Sequence, residues 1–219
     1  MTTVTRVKIC GLTSAADTLI ALEAGADYVG FIFSEKSSRH MTIEQAAAVC
    51  AALPADAPTV GVFVDAPLET IYEARQRCGL KLIQLHGTES PLMLQAVGAA
   101  YKALRPASLA ECEAQAAIYA RGPADDAAGL IAPTLLLDAY HPALHGGTGL
   151  TVDPGLALAA KARTARLMLA GGLTADNVQA AIRAVQPFAV DVSSGVEAAP
   201  GRKDYGKLRA FIQAVKATR

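Results

Sequence analysis

Short apolar runs of period two alternate with longer alanine-rich segments of helical spacing along the whole chain. The first run, Thr5 to Cys10, throws Val7 and Ile9 to one face and Arg6, Lys8 and Cys10 to the other, then breaks at Gly11. Further strands are predicted at Tyr28 to Phe33, Thr59 to Val64, Leu82 to Leu85, Ala100 to Leu104, Leu135 to Asp138, Leu167 to Ala170 and Phe188 to Val192, eight in all. Between them lie helix patterns, many opened by a capping residue or a proline: Ser14 to Ala24, Thr42 to Ala52, Pro67 to Cys78, Pro91 to Val97, Ser108 to Ala120, Pro154 to Arg163, Thr174 to Val185 and Asp204 to Ala217. Strict alternation argues an α/β protein with a parallel sheet covered by helices. Eight units argue closure into one (β/α)8 TIM barrel spanning residues 1–219, with a doubly wound open sheet as the competing fold.

No long linker divides the chain and no clean internal repeat is visible. The least regular stretches are Arg121 to Pro133, a surface loop by composition, and Ala139 to Leu150. The second follows a strand tip, and its Gly146-Gly147-Thr148-Gly149 suits a lid.

Parallel strands bring their carboxyl ends to one face, and in a barrel the helix N-termini surround that mouth and make it electropositive. Two late loops are suited to an anion there: Gly171-Gly172, ahead of a helix starting near Thr174, and Ser193-Ser194-Gly195 after strand eight. Glycine lets backbone N–H groups approach a phosphate, serine adds donors, and loops seven and eight are the usual phosphate site of this fold. The plainer alternative is that these glycines only make tight turns.

Cys10 and Asp138, each at a strand tip, form the candidate catalytic pair. The positive mouth is expected to lower the thiol's pKa and make it a base, while a shielded carboxyl across the barrel keeps its proton and acts as an acid. One base and one acid make an isomerase. A buried small hydrophobe and a helix cap are the ordinary fates of cysteine and aspartate, but a tip before glycine and the end of an all-leucine strand favour chemistry.

Closure sets strand eight beside strand one, and alternation turns Asp191 inward, so a Lys8–Asp191 ion pair is expected. Arg39, in Ser37-Ser38-Arg39-His40, is a candidate bidentate clamp for a substrate carboxylate, or a solvated loop residue. His86, on the same face as Gln84, lines the mouth or satisfies a core hydrogen bond. His141 and His145 have a zinc-like spacing, but Pro142 and neighbouring glycines argue against a helix and no third ligand is evident, so no metal is expected.

Composition narrows the class further. Lysine plus arginine equals aspartate plus glutamate at 20 each, which leaves no overall field to attract nucleic acid or an acidic membrane. A chain of 219 residues with 52% hydrophobic content can bury a large core. The four cysteines, Cys10, Cys50, Cys78 and Cys112, lack paired spacing and suit reduced thiols, the last three as packing residues. No leader and no membrane-length apolar run is seen, so a cytoplasmic protein is expected. Neither a dinucleotide fingerprint nor a P-loop is present.

Taken in order, Lys8-Ile9-Cys10-Gly11-Leu12, Gly30-Phe31-Ile32-Phe33 through Ser38-Arg39, Val60-Gly61-Val62-Phe63, Gln84-Leu85-His86-Gly87, Leu136-Leu137-Asp138, Gly146-Gly147-Thr148-Gly149, Ala170-Gly171-Gly172-Leu173 and Asp191-Val192-Ser193-Ser194-Gly195-Val196-Glu197 resemble the phosphoribosylanthranilate isomerases of tryptophan biosynthesis. The resemblance implies a monomeric or dimeric barrel that rearranges N-(5'-phosphoribosyl)anthranilate to 1-(2-carboxyphenylamino)-1-deoxyribulose 5-phosphate without cofactor. It implies Asp138 as acid, Cys10 as base, Arg39 on the anthranilate carboxylate, and the Gly172 and Ser194-Gly195 loops on the phosphate. The related aminoaldose isomerase of histidine biosynthesis would be expected to carry an aspartate where Cys10 stands. Indole-glycerol-phosphate synthase would want lysine and glutamate, for which Lys8 lies too deep.

Overall fold

The computed structural model describes residues 4–120, 130–138 and 153–218. Eight parallel strands close on themselves in sequence order: β1 (Arg6–Cys10), β2 (Tyr28–Ile32), β3 (Thr59–Phe63), β4 (Leu82–Leu85), β5 (Ala100–Leu104), β6 (Leu135–Leu137), β7 (Leu167–Leu169) and β8 (Ala189–Val192). The expected barrel is therefore the fold. β8 returns to pair with β1 in a register that sets Lys8 opposite Asp191.

The helices are α1 (Ala15–Glu23), α2 (Ile43–Ala51), α3 (Leu68–Cys78), α4 (Pro91–Val97), α5 (Leu109–Tyr119), α6 (Pro154–Lys161), α7 (Val178–Val185) and α8 (Tyr205–Lys216). Their starts are set by local chemistry. Ser14, Ser108 and Asp204 accept from backbone N–H groups inside the first turn, and Thr42 forms a reciprocal capping box with Gln45. Proline stands at the start of α4 and α6 behind caps at Ser90 and Asp153.

Alternation along the strands divides the apolar interior into two layers. Val7, Ile9, Val29 and Phe31 belong to the large cluster packed with helix residues such as Ala21, Ile71, Leu208 and Phe211. Tyr28, Val60, Leu82, Tyr101, Leu136 and Met168 form a second cluster that fills the barrel below the mouth.

Two features differ from expectation. The seventh helix begins at Val178, not near Thr174, because Asn177 folds Thr174 to Asn177 into a separate turn: its Oδ1 accepts from Thr174 N at 2.8 Å and its Nδ2 donates to Gly172 O at 2.9 Å. After β8 the chain makes a 3-10 turn, Ser194–Val196, and a two-stranded hairpin, β9 (Glu197–Ala199) with β10 (Arg202–Lys203), before α8. The glycine-rich stretch at 146–149, His141 and His145 lie outside the described residues.

Candidate active site

A cavity at the carboxyl ends of the strands is lined by Cys10, Arg39, His86, Asp138, Gly171, Gly172, Asp191, Ser194 and Gly195. Every candidate among the described residues except Lys8 thus reaches it. Lys8 lies fully buried beneath the cavity floor.

Cys10 ends β1, pointing inward with 6% exposure. Its sulfur fits only because β2 has no side chain opposite: a Cβ at Gly30 would lie 2.9 Å from Cys10 Sγ and 3.1 Å from Lys8 Cε. One step down the strand, Lys8 Nζ sits 3.0 Å from Asp191 Oδ2, the partner that closure of the barrel predicts. Burial alone would drive the Lys8 ammonium down, but Asp191 and the thiol outweigh it and the pKa is raised, so the charge persists.

The thiol does not behave as the sequence suggested. Burial raises the Cys10 pKa above its ordinary value of 9.0, and the opposing pull of Lys8 and Lys203 does not overcome it, since Asp191 adds negative charge nearby. The electropositive mouth loses to desolvation because the sulfur is inside the barrel and not on its rim.

Asp138 follows β6, where its own N–H still donates to Leu104 O at 3.0 Å and so continues the ladder by one residue. It is 8% exposed, and Oδ2 lies 3.5 Å from His86 Nε2. His86 Nδ1 in turn lies 2.8 Å from Gln84 Nε2. The loop that carries His86 is pinned from below by Lys102, whose ammonium donates to Leu85 O and Gly87 O and pairs with Glu89 at 3.1 Å.

Loops seven and eight meet at the rim. Gly171 and Gly172 both have left-handed backbone, with φ of 93° and 58°. At Gly195 a Cβ would collide with Leu173 O, so only glycine lets the two loops touch. The α7 start does not abut Gly172 as expected, and the helical end nearest this corner is the 3-10 turn that begins at Ser194. Ser193 Oγ and Asp191 Oδ1 are buried, and among the described residues neither has a hydrogen-bond partner.

Arg39 carries a fork whose Nε and Nη2 are already engaged, at 2.8 and 2.7 Å, by Glu197. Glu197 thus takes one bidentate edge of the guanidinium, and the edge bearing Nη1 is the part of the fork that it leaves. Glu197 also pairs with Lys203 at 2.9 Å, and Lys203 donates to Cys10 O at 2.7 Å. Burial alone would raise the Glu197 carboxyl, but Arg39 and Lys203 outweigh it and hold the group below its ordinary value. The sequence marks Glu197 only as the end of the Asp191-to-Glu197 motif and carries no signal for Lys203. Arg105, one residue past β5, also lines the cavity and stands at the same strand-tip position that marked the others.

Fold and cavity together place the chain among the (β/α)8-barrel enzymes, a class whose members work at the carboxyl ends of their strands. The family described as N-(5'-phosphoribosyl)anthranilate (PRA) isomerase matches residues 7–214. The chain is 46% identical over 215 residues to the N-(5'-phosphoribosyl)anthranilate isomerase of Pelobacter propionicus, covering 98% of this chain and 97% of the relative. It is 47% identical over 212 residues to that of Geobacter sulfurreducens, covering 96% and 98%. The phosphoribosyl anthranilate isomerase structure from Thermotoga maritima superposes with a TM-score of 0.84 at 37% identity, over 97% of this chain and 98% of that one. An isomerase structure in complex with reduced 1-(o-carboxyphenylamino)-1-deoxyribulose 5-phosphate superposes at 0.81 with 36% identity, over 97% and 98%. This chain belongs to the phosphoribosylanthranilate isomerase family and is an enzyme.

Among the described residues no helix is long and apolar enough to cross a membrane.

Proposed function

We propose that the enzyme converts N-(5'-phosphoribosyl)anthranilate to 1-(2-carboxyphenylamino)-1-deoxyribulose 5-phosphate, with Asp138 as general acid and Cys10 as general base. Asp138 gives a proton to the ribose ring oxygen as the C1'–O bond breaks, and the anthranilate nitrogen's lone pair forms the Schiff base. Cys10 then removes the C2' proton, and the electron pair moves to the iminium to give an enolamine. Tautomerisation of the enolamine to the ketone regenerates the acid and the base, so no cofactor enters. The observation that carries this reading is that β1 and β6 bring a thiol and a carboxyl to one cavity, with the glycine loops after β7 and β8 at its rim.

The remaining groups take binding roles. The phosphate is held by backbone N–H groups at Gly171, Gly172 and Gly195 and by the Ser194 hydroxyl. Arg39, oriented by Glu197, meets the anthranilate carboxylate with its Nη1 edge. Lys8 keeps its charge under Cys10 and so stabilises the thiolate as it forms. Each barrel carries a full set of these groups, which is compatible with a monomer or a homodimer. Four free cysteines suit a reducing compartment, in keeping with a cytoplasmic enzyme acting in tryptophan biosynthesis.

The test follows the fluorescence decay of the anthranilate adduct. Asp138→Asn and Cys10→Ser should each lower kcat by roughly 10²–10⁴-fold, the usual contribution of an acid or base, with KM changed much less. Near-normal turnover in either variant rejects the role given to that residue.

A further inference from the structure

Gln84 projects into the barrel from β4 and is 1% exposed. Its Oε1 accepts from Lys8 Nζ at 2.9 Å and from the Tyr101 hydroxyl at 2.9 Å. An ammonium has no lone pair, so the atom facing Lys8 must be the amide oxygen, and this fixes which way the amide points. The NH2 group is thereby turned to His86, with Nε2 at 2.8 Å from Nδ1. An amide nitrogen only donates, so Nδ1 must offer its lone pair and the imidazole proton sits on Nε2. That nitrogen faces Asp138 Oδ2 at 3.5 Å.

We propose that Gln84 is a positioning residue, pinned by Lys8 and Tyr101, which holds His86 in the Nε2–H tautomer so that a donor faces Asp138. The alternative tautomer would aim a basic lone pair at the carboxyl and draw the acid's proton away from the substrate. The buried ion pair under Cys10 thus sets the hydrogen-bond polarity on the opposite wall of the site, through one amide and one imidazole. This role deepens the proposed reaction, since it rests on Asp138 acting as the acid.

Two-bond proton–nitrogen correlation spectra of histidine-labelled protein distinguish the two tautomers directly, with the His86 signals assigned by their loss in His86→Ala. The wild-type enzyme should show His86 as Nε2–H. Gln84→Glu keeps acceptors for Lys8 and Tyr101 but presents an acceptor to Nδ1, so it should move the proton to Nδ1 and lower kcat by about tenfold or more with KM within about twofold. Gln84→Met, similar in length but without hydrogen bonds, should give a mixture of tautomers. A purely structural glutamine would change the melting temperature and leave the tautomer alone.

A wild-type Nδ1–H tautomer overturns the proposal without need of any variant. So does an Nε2–H tautomer that persists in Gln84→Glu, or a reversed tautomer with full kcat. Full turnover in Asp138→Asn would instead reject the acid role, and the nitrogen spectra would still report what Gln84 does to the ring.

Discussion

Glu197→Gln removes one negative charge from between two cations and leaves the side-chain volume almost unchanged. In the wild type the carboxylate receives Arg39 through two hydrogen bonds and Lys203 through one, with side-chain exposures of 5% for Glu197, 15% for Arg39 and 0% for Lys203. Removing one partner of a buried pair usually costs about 3–5 kcal/mol, because the other charge is left uncompensated. Here the loss falls lower, at about 2–3 kcal/mol, since glutamine retains a carbonyl acceptor. Lys203 also keeps its bonds to Cys10 O at 2.7 Å and Ser193 O at 3.3 Å. For a chain of this size, that corresponds to a fall in Tm of about 4–12 °C.

The effect carries a pH signature. Glu197 has a folded pKa held below its ordinary 4.5, so its contribution is complete above that ordinary value and disappears as pH falls through the folded one. Urea unfolding of both proteins from pH 7 downward should therefore show a gap that is constant near neutrality and closes only in acid. KM should rise as Arg39 loses its orientation, with kcat less affected. A Tm within about 1 °C of wild type at pH 7 would refute the reasoning, and so would a gap that does not narrow on acidification.

Two other expectations follow from the thiol's surroundings. In Gly30→Ala the new Cβ would meet Cys10 Sγ at 2.9 Å, Lys8 Cε at 3.1 Å and Cys10 Cα at 3.3 Å, so the variant should lose about 1–3 kcal/mol of stability and most of its kcat; wild-type activity would show that the strand yields without displacing the sulfur. Thiolate absorbance of the wild type minus Cys10→Ser should titrate with a midpoint above 9.0, because burial outweighs the neighbouring ammoniums, and a midpoint at or below that value would show charge prevailing.

The parts of the molecule that could be read from the sequence are those that topology forces. Once eight strands alternate with eight helices, closure puts β8 beside β1, and period-two alternation then decides that Lys8 and Asp191 share the interior at one level. The same two rules carry Cys10, His86 and Asp138 to one face without any knowledge of loops. Helix starts were legible where a serine, threonine or aspartate could cap them. They failed at α7, where Thr174 to Asn177 form a separate turn, closed by Asn177 N–H to Thr174 O, and the regular helix begins only at Val178.

Contacts between loops follow no such rule. Arg39 and Glu197 are 158 residues apart, on segments whose paths no periodicity describes, and Lys203 sits in Gly201-Arg202-Lys203-Asp204, a run with the composition of a solvated turn. Lys203 is buried because its backbone N–H is tied to Asp17 at 3.1 Å and its ammonium to the Cys10 carbonyl, contacts that exist only after the barrel has closed. The sign of the thiol's shift was hidden for a related reason. Positive charge near a strand tip can be inferred from helix direction, whereas desolvation depends on how far the tip is sunk, and Cys10 at the end of β1, 6% exposed inside the barrel, is sunk deeply enough for burial to dominate. The hairpin therefore ties together two places that the sequence left apart, since the same Lys203 that donates to the Cys10 carbonyl also pairs with the glutamate that holds Arg39.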